Sequence, residues 1–284
     1  MRLTALVCLG LLTLCLCEAR AYTPYTTQNG TQLRWWKDGF AFVVDDRVPE
    51  PMDPDLAFEA ISQARQRWVD SSCHDLTIEL DGWGTCYGNK ADDGINCLHW
   101  VNQPGMWPAE SWLVAVTFVH FYEETGEIFD TDIAVNTQNY AFDALSECFA
   151  TDTHYDLQGT LTHEFGHVLG LDHSSEQNAT MNQLTYTGDC VKRELSEDDV
   201  TGLCEMYEGP LPEPQTWRPD AAPGADAVDK DDLANSDTAS PTPSPSPEGC
   251  QGTPLAHWFS LSITSILLVS TRRRRRVPRP APAR

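Results

Sequence analysis

His163-Glu164-Phe165-Gly166-His167-Val168-Leu169-Gly170-Leu171-Asp172-His173 is the stretch on which the fold of this 284-residue chain turns. At about 100° per residue, His163 and His167 stand about 40° apart on one face of a helix, whereas Leu157, Leu161, Phe165 and Val168 fall on the opposite face. Such a helix buries its back and aims two imidazoles into a cleft. The two rings suit one zinc ion bound through neutral ring nitrogens, and Glu164 is left to handle protons. Gly170 lets the chain leave the helix through a left-handed residue, so that His173 returns as a third ligand. Three protein ligands leave one coordination position for water, which marks a catalytic zinc rather than a structural one. The plain alternative is three histidines that merely satisfy a core. The fixed spacing of three His and a Gly, with Met181 following His173, argues against it.

Outward from this helix, expected over Leu157–Leu171, the neighbouring patterns describe a domain over roughly residues 30–208. Gly39–Val44 reads as a strand. Asp53 followed by Pro54 reads as N-cap and first helical residue of a helix to about Val69, with Ala57, Ala60, Ile61, Ala64 and Trp68 on one buried stripe. Strands are expected at Asp75–Leu80, Asn96–Val101, Trp112–Phe121 and Ile128–Asn136. A last helix is opened by Ser196 with Asp199 in capping-box position, and carries Val200, Leu203, Cys204 and Tyr207 on one face. The order β, α, β, β, β, β, α, α is an α+β arrangement. The pair Trp35-Trp36 reads as core and strand packing.

The ends differ from the domain. Residues 1–21 combine Arg2, an apolar run from Ala5 to Cys17 and Ala19-Arg20-Ala21, the pattern of a secretory signal cleaved after Ala21. Residues 209–249 turn to Pro, Ala, Asp and Ser and end in Pro241-Thr242-Pro243-Ser244-Pro245-Ser246-Pro247, too poor in apolar surface to fold and kept extended by proline. They read as a stalk. Residues 250–284 hold Cys250, an apolar stretch from Leu255 to Thr271 and the cluster Arg272–Arg276.

The chain carries 19 basic and 42 acidic residues, and most of the excess lies inside the domain and stalk. That balance excludes a nucleic-acid binder working by phosphate neutralisation and implies a highly soluble surface. Once signal and tail are set aside, Cys73, Cys86, Cys97, Cys148, Cys190 and Cys204 remain, enough for three disulfides in an oxidising compartment. The absence of C-x-x-C speaks against zinc held by cysteines.

The eleven-residue motif followed by Met181 resembles the metzincin zinc peptidases. Ser174 directly after the third His, together with Leu195-Ser196-Glu197-Asp198-Asp199-Val200-Thr201-Gly202, resembles the matrixin branch, the matrix-metalloproteinase type. The likeness runs through His163–Tyr207 in detail and is one of pattern only before that. It implies a zincin/metzincin fold: a five-stranded mixed sheet with three helices, zinc on the second helix, and a substrate cleft along an edge strand. It also implies a methionine turn at Met181 beneath the zinc, His163, His167 and His173 as ligands, and Glu164 as general base in peptide hydrolysis.

This chain departs from the family pattern in three respects. Met181-Asn182-Gln183 stands where matrixins have Met-Tyr-Pro, so the pocket wall is open to question and Tyr186 is a candidate for part of it. The His-rich second zinc site of vertebrate members has no counterpart, since His74, His99, His120 and His154 lack its spacing and read as surface or packing residues. No Cys-switch segment is seen between the expected cleavage site and the domain.

Asp130 and Asp132 offer oxygens to a calcium ion, with a polar strand entrance as the other reading; Asp92-Asp93-Gly94 is read first as a turn. Six cysteines admit fifteen pairings. The preferred scheme is Cys190 with Cys204, because the loop after Met181 must return to the closing helix. Cys86 is then paired with Cys97 across a Gly-containing turn, and Cys73 with Cys148 by elimination. At the C-terminus, Gly249-Cys250, the apolar segment and the arginines resemble the MYXO-CTERM sorting signals of myxobacterial surface proteins, which implies a bacterial source. A stop-transfer helix held by its arginines is the other reading.

Together these features point to an exported, monomeric zinc endopeptidase acting on extracellular proteins or peptides. Its cell-envelope display would depend on a processing enzyme that acts near Cys250. The alternative is a surface adhesion module that keeps zinc without turnover.

Overall fold

The computed structural model describes residues 20–71, 73, 75–86, 93–144, 147–149, 153–213, 261–262 and 268–270. Five strands form the body of the sheet, to which the short strands Arg34–Trp35 and Leu268–Ser270 add at its margins: β1 (Gly39–Asp45), β2 (Thr77–Gly84), β3 (Asn96–Trp100), β4 (Ala115–Phe121) and β5 (Glu127–Val135). Their order is β2-β1-β3-β5-β4, with β4 antiparallel to β5 and all other neighbours parallel. Helix α1 (Pro54–Asp70) follows β1, whereas α2 (Leu157–Val168) and α3 (Glu197–Met206) come after the sheet. This is the α+β order read from the sequence, with a mixed sheet and the histidine motif on the second helix.

Local signals explain the helix ends. The Asp53 carboxylate accepts from the backbone of Asp55 and Leu56, and Pro54 takes the first turn, where its missing N–H costs nothing. Ser196 and Asp199 form the reciprocal capping box that opens α3. Helix α2 stops at Leu169, and Gly170 follows with φ +93°. The chain then turns back as Leu171–Asp172, paired with Thr23–Pro24.

The main core lies between the sheet and the helices. Ala57, Ala60, Ile61, Ala64 and Trp68 of α1 are buried, as their spacing requires. The Trp68 indole N–H donates to the Thr162 carbonyl at 2.7 Å, joining α1 to α2. Trp35 is fully buried, stacks on Phe40 with ring centroids 4.2 Å apart, and donates to the Val168 carbonyl at 2.9 Å. A smaller cluster of Val101, Val116, Phe118 and Ala134 packs apart from this main core.

Two expectations need correction. The second helix, expected to run to Leu171, ends at Val168, because Gly170 takes the chain out through a left-handed residue; all twelve of its residues are buried, the imidazole side as well as the back. The strand expected from Trp112 begins at Ala115, because a turn in which Leu113 donates to the Glu110 carbonyl takes up the preceding residues.

The disulfide scheme changes as well. Cys73 is bonded to Cys204 and Cys148 to Cys190, with Cα separations of 5.4 and 5.3 Å, in place of Cys190–Cys204 and Cys73–Cys148. The capping box starts α3 so that Cys204 is carried to the end of α1, where Cys73 lies. Cys190 is kept beside the segment before α2 by backbone bonds from Phe149 to Gly188 and from Gly188 to His154. Cys86 is joined to Cys97.

Two short segments near the C-terminus pair with the domain. Leu261–Ser262 runs antiparallel to Leu184–Thr185, and Leu268–Ser270 runs parallel to Val119–Phe121 of β4. Among the described residues, no helix is long and apolar enough to cross a membrane.

Candidate metal centre

Helix α2 and the turn at Gly170 bring His163, His167 and His173 together. Their ring centroids are 4.6, 5.1 and 5.3 Å apart, and one nitrogen from each lies within 4.8 Å of the others. His163 Nδ1 lies 2.6 Å from the Thr180 carbonyl oxygen, and His167 Nδ1 lies 2.7 Å from that of Leu171. Because a carbonyl only accepts, each Nδ1 carries the proton and each Nε2 presents a lone pair. The two Nε2 atoms are 3.1 Å apart, with no proton available to join them. His173 Nε2 is buried with no hydrogen-bond partner among the described residues. Facing lone pairs in a buried site are stabilised by a cation, and three neutral imidazoles suit zinc.

The surroundings keep the rings neutral. Burial first, then Lys192 and the other two histidines, hold His163 well below the ordinary imidazole range. Burial and His173 do the same for His167. Burial pushes His173 down to about 4, against the pull of Asp172.

Glu164 is fully buried, and its Oε2 accepts from the Thr117 hydroxyl of β4 at 2.7 Å. Met181 packs under α2 at Gly166, where any Cβ would overlap the methionine sulfur and lie 2.7 Å from the Trp68 ring. The turn carrying Met181 is held from α3: the Asp199 carboxylate accepts from the Thr180 and Met181 amides at 2.8 and 2.9 Å. Tyr186 lies on the segment beyond this turn and is 41% exposed.

Residues 35–208 match the family model described as Matrixin. The chain belongs to the matrixin family. Human matrix metalloproteinase-26 is 29% identical over 185 residues, 64% of this chain and 62% of that protein. Chicken 72 kDa type IV collagenase is 43% identical over 61 residues, which cover 21% of this chain and 9% of its own length. The metalloendoproteinase 5-MMP of Arabidopsis thaliana is 44% identical over 54 residues, 19% of this chain and 15% of its own. The chain therefore spans less than two-thirds of the length of these relatives.

This matrixin has a second buried cluster. His120, Asp130 and Asp132 place one ligand atom each within 4.8 Å of one another, because His120 on β4 sits directly across from Asp130 on β5 and Asp132 lies two residues along the same face. Asp132 accepts from the Cys97 amide at 3.0 Å, but its Oδ2 has no hydrogen-bond partner among the described residues. Burial and the nearby Asp130 and Asp93 push the Asp132 carboxyl up to about 9. The sequence reads His120 as a surface or packing residue, and it is buried; the antiparallel register of β4 on β5 is what sets it across from Asp130. His99 is buried in β3, whereas His154 bonds Thr153 in an exposed setting.

Thr117 and Lys192 also touch the site and stand outside every motif. His74, Asp92, Cys250 and the arginine cluster lie outside the described residues.

Proposed function

We propose that this matrixin is an exported zinc endopeptidase that cleaves peptide bonds of extracellular proteins. The observation that carries the reading is the pair of unprotonated Nε2 atoms 3.1 Å apart, beside a buried Glu164 oriented by Thr117. His163, His167 and His173 would hold the ion. Bound zinc supplies a Lewis acid that lowers the pKa of water toward about 7 and polarises a carbonyl. Glu164 takes the proton of the attacking water and delivers it to the leaving amine. The Thr117 hydroxyl fixes the carboxylate for both transfers. Asp199 holds the Met181 turn beneath the ligands.

An extended substrate fits beside β4, the outermost of the five strands. Two pairings support this: Leu268–Ser270 adds to β4 as a strand, and Leu261–Ser262 adds to Leu184–Thr185 beyond the Met181 turn. Tyr186 would contribute to the pocket wall there. Asp130 and Asp132, joined by His120, would hold a second cation, with calcium as the reading for the carboxylates.

Three disulfides support export. A mature start at Tyr22 rests on the sequence pattern Ala19-Arg20-Ala21; Tyr22 is docked on α3, its amide donating to Asp198 at 3.0 Å and its ring packing on Gly202, and the Ala21 amide donates to the same carboxylate at 3.2 Å. We read 1–21 as signal, 22–208 as the catalytic domain, 209–249 as stalk and 250–284 as a sorting tail. The tail would be processed near Cys250 at a bacterial cell surface.

The competing reading, a zinc-keeping adhesion module, has no use for the buried Glu164. Incubation of the purified protein with a mixed peptide library, followed by sequencing of the cut ends, tests the proposal. Cleavage that stops on chelation and returns with zinc is expected; a library left intact by the zinc-loaded protein would reject it.

A further inference from the structure

Lys192 is 8% exposed, yet it stands next to a site built for a cation. Its backbone is anchored on both sides. Cys190 is tied to Cys148, and Arg193 forms an ion pair with Asp156, the N-cap of α2, at 2.7 Å. The Lys192 side chain therefore reaches inward from a fixed base.

The ammonium donates to the Thr180 carbonyl at 2.7 Å and to the Asn182 carbonyl, the two that flank Met181. It also lies 3.4 Å from His163 Nδ1. The Thr180 oxygen is the same atom that receives the His163 Nδ1 proton. On the other side of the turn, Asp199 takes the Thr180 and Met181 amides. One turn of chain is thus pinned between a buried carboxylate that holds its N–H groups and a buried ammonium that holds its carbonyls. A charged amine is costly to bury unless each donor finds an acceptor, and these carbonyls are acceptors that no regular ladder would satisfy.

We propose that Lys192 is a positioning residue for the zinc ligand His163: it clamps the Thr180 and Asn182 carbonyls, and so fixes the acceptor that sets the tautomer and angle of the ring. A charge there would disfavour a nearby cation, so what the amine offers the site is its N–H donors to the two carbonyls. Partners in this outer position govern metal affinity because they orient the ligand ring and fix its tautomer. This inference rests on the reading of His163 as a zinc ligand.

The test compares zinc affinity, by chelator competition at one pH, and the visible spectrum of the cobalt-substituted protein, in wild type, Lys192→Met and Lys192→Arg. Methionine keeps the length and removes the donors; arginine keeps charge and donors. Lys192→Met is expected to bind zinc about 10- to 100-fold more weakly with an altered cobalt spectrum. Lys192→Arg is expected to recover most of the affinity. Unchanged zinc affinity and cobalt spectrum in Lys192→Met, whatever its thermal stability, would overturn the positioning role, and tighter zinc binding would show that charge repulsion dominates and overturn it too. Wild-type protein that binds no zinc would instead defeat the underlying reading of the site. Where Lys192→Met does not fold, Lys192→Gln, which keeps an N–H donor without the charge, takes its place. A partial loss of affinity is then expected, and wild-type affinity would again overturn the role.

Discussion

Gly170→Ala probes the junction on which the third ligand depends. Gly170 has φ +93°, and a Cβ there would overlap the Leu33 carbonyl oxygen while lying 3.1 Å from both the Leu33 carbonyl carbon and Met206 Cε. The left-handed backbone alone costs an alanine about 1–2 kcal/mol. Overpacking against a fixed neighbour adds about 1–3 kcal/mol. Leu33 has little room to retreat, because its amide donates to Tyr25, whose own amide donates to Gly170, each at 2.8 Å. The expected loss is therefore about 2–5 kcal/mol, from a total stability on the order of 5–15 kcal/mol. Gly82→Ala supplies the control: Gly82 has φ +90° and nothing within 4 Å of the added carbon, so it bears only the backbone cost. Denaturant unfolding with disulfides intact, together with zinc affinity, measures both variants. Gly170→Ala should fall below Gly82→Ala by about 1–3 kcal/mol and bind zinc at least tenfold more weakly, since His173 must shift. Equal stabilities in the two variants would refute the close approach to Leu33 as the constraint that places His173.

Other outcomes follow from named contacts. Thr117→Val keeps shape but removes the donor to Glu164, so kcat should fall about tenfold with KM little changed, and Thr117→Ser should restore it; an equal loss in Thr117→Ser would point to packing instead. Burial lowers His99 from 6.5 to about 4, so the unfolded chain binds that proton first as pH falls. Stability should therefore be level above about pH 6.5 and decline by about 3 kcal/mol toward pH 4 on account of this residue, and His99→Gln should flatten that part of the denaturation profile. Cys73→Ser with Cys204→Ser opens a link of 131 residues and should cost about 2–5 kcal/mol; non-reducing peptide maps should recover Cys73 with Cys204 and Cys148 with Cys190.

The parts legible in the sequence are those written in short spacings. The histidine motif, the left-handed exit at Gly170, the Asp53 and Ser196 caps and the order of elements all depend on residues within a few positions of each other. What was missed depends on distant chain meeting in space. Lys192 answers to carbonyls, which leave no trace in residue type. Thr117 meets Glu164 across 47 positions. His120 joins Asp130 only through the register of β4 on β5, and Cys204 reaches Cys73 only because α3 runs to the end of α1.

The proposed function assigns Glu164 to the chemistry and not to the metal. Its most direct test is peptide turnover by Glu164→Ala together with the zinc content of the same sample. One zinc per chain is expected, as in wild type, with turnover reduced by about 10² to 10⁴. A variant that keeps its zinc and cleaves at the wild-type rate would contradict it.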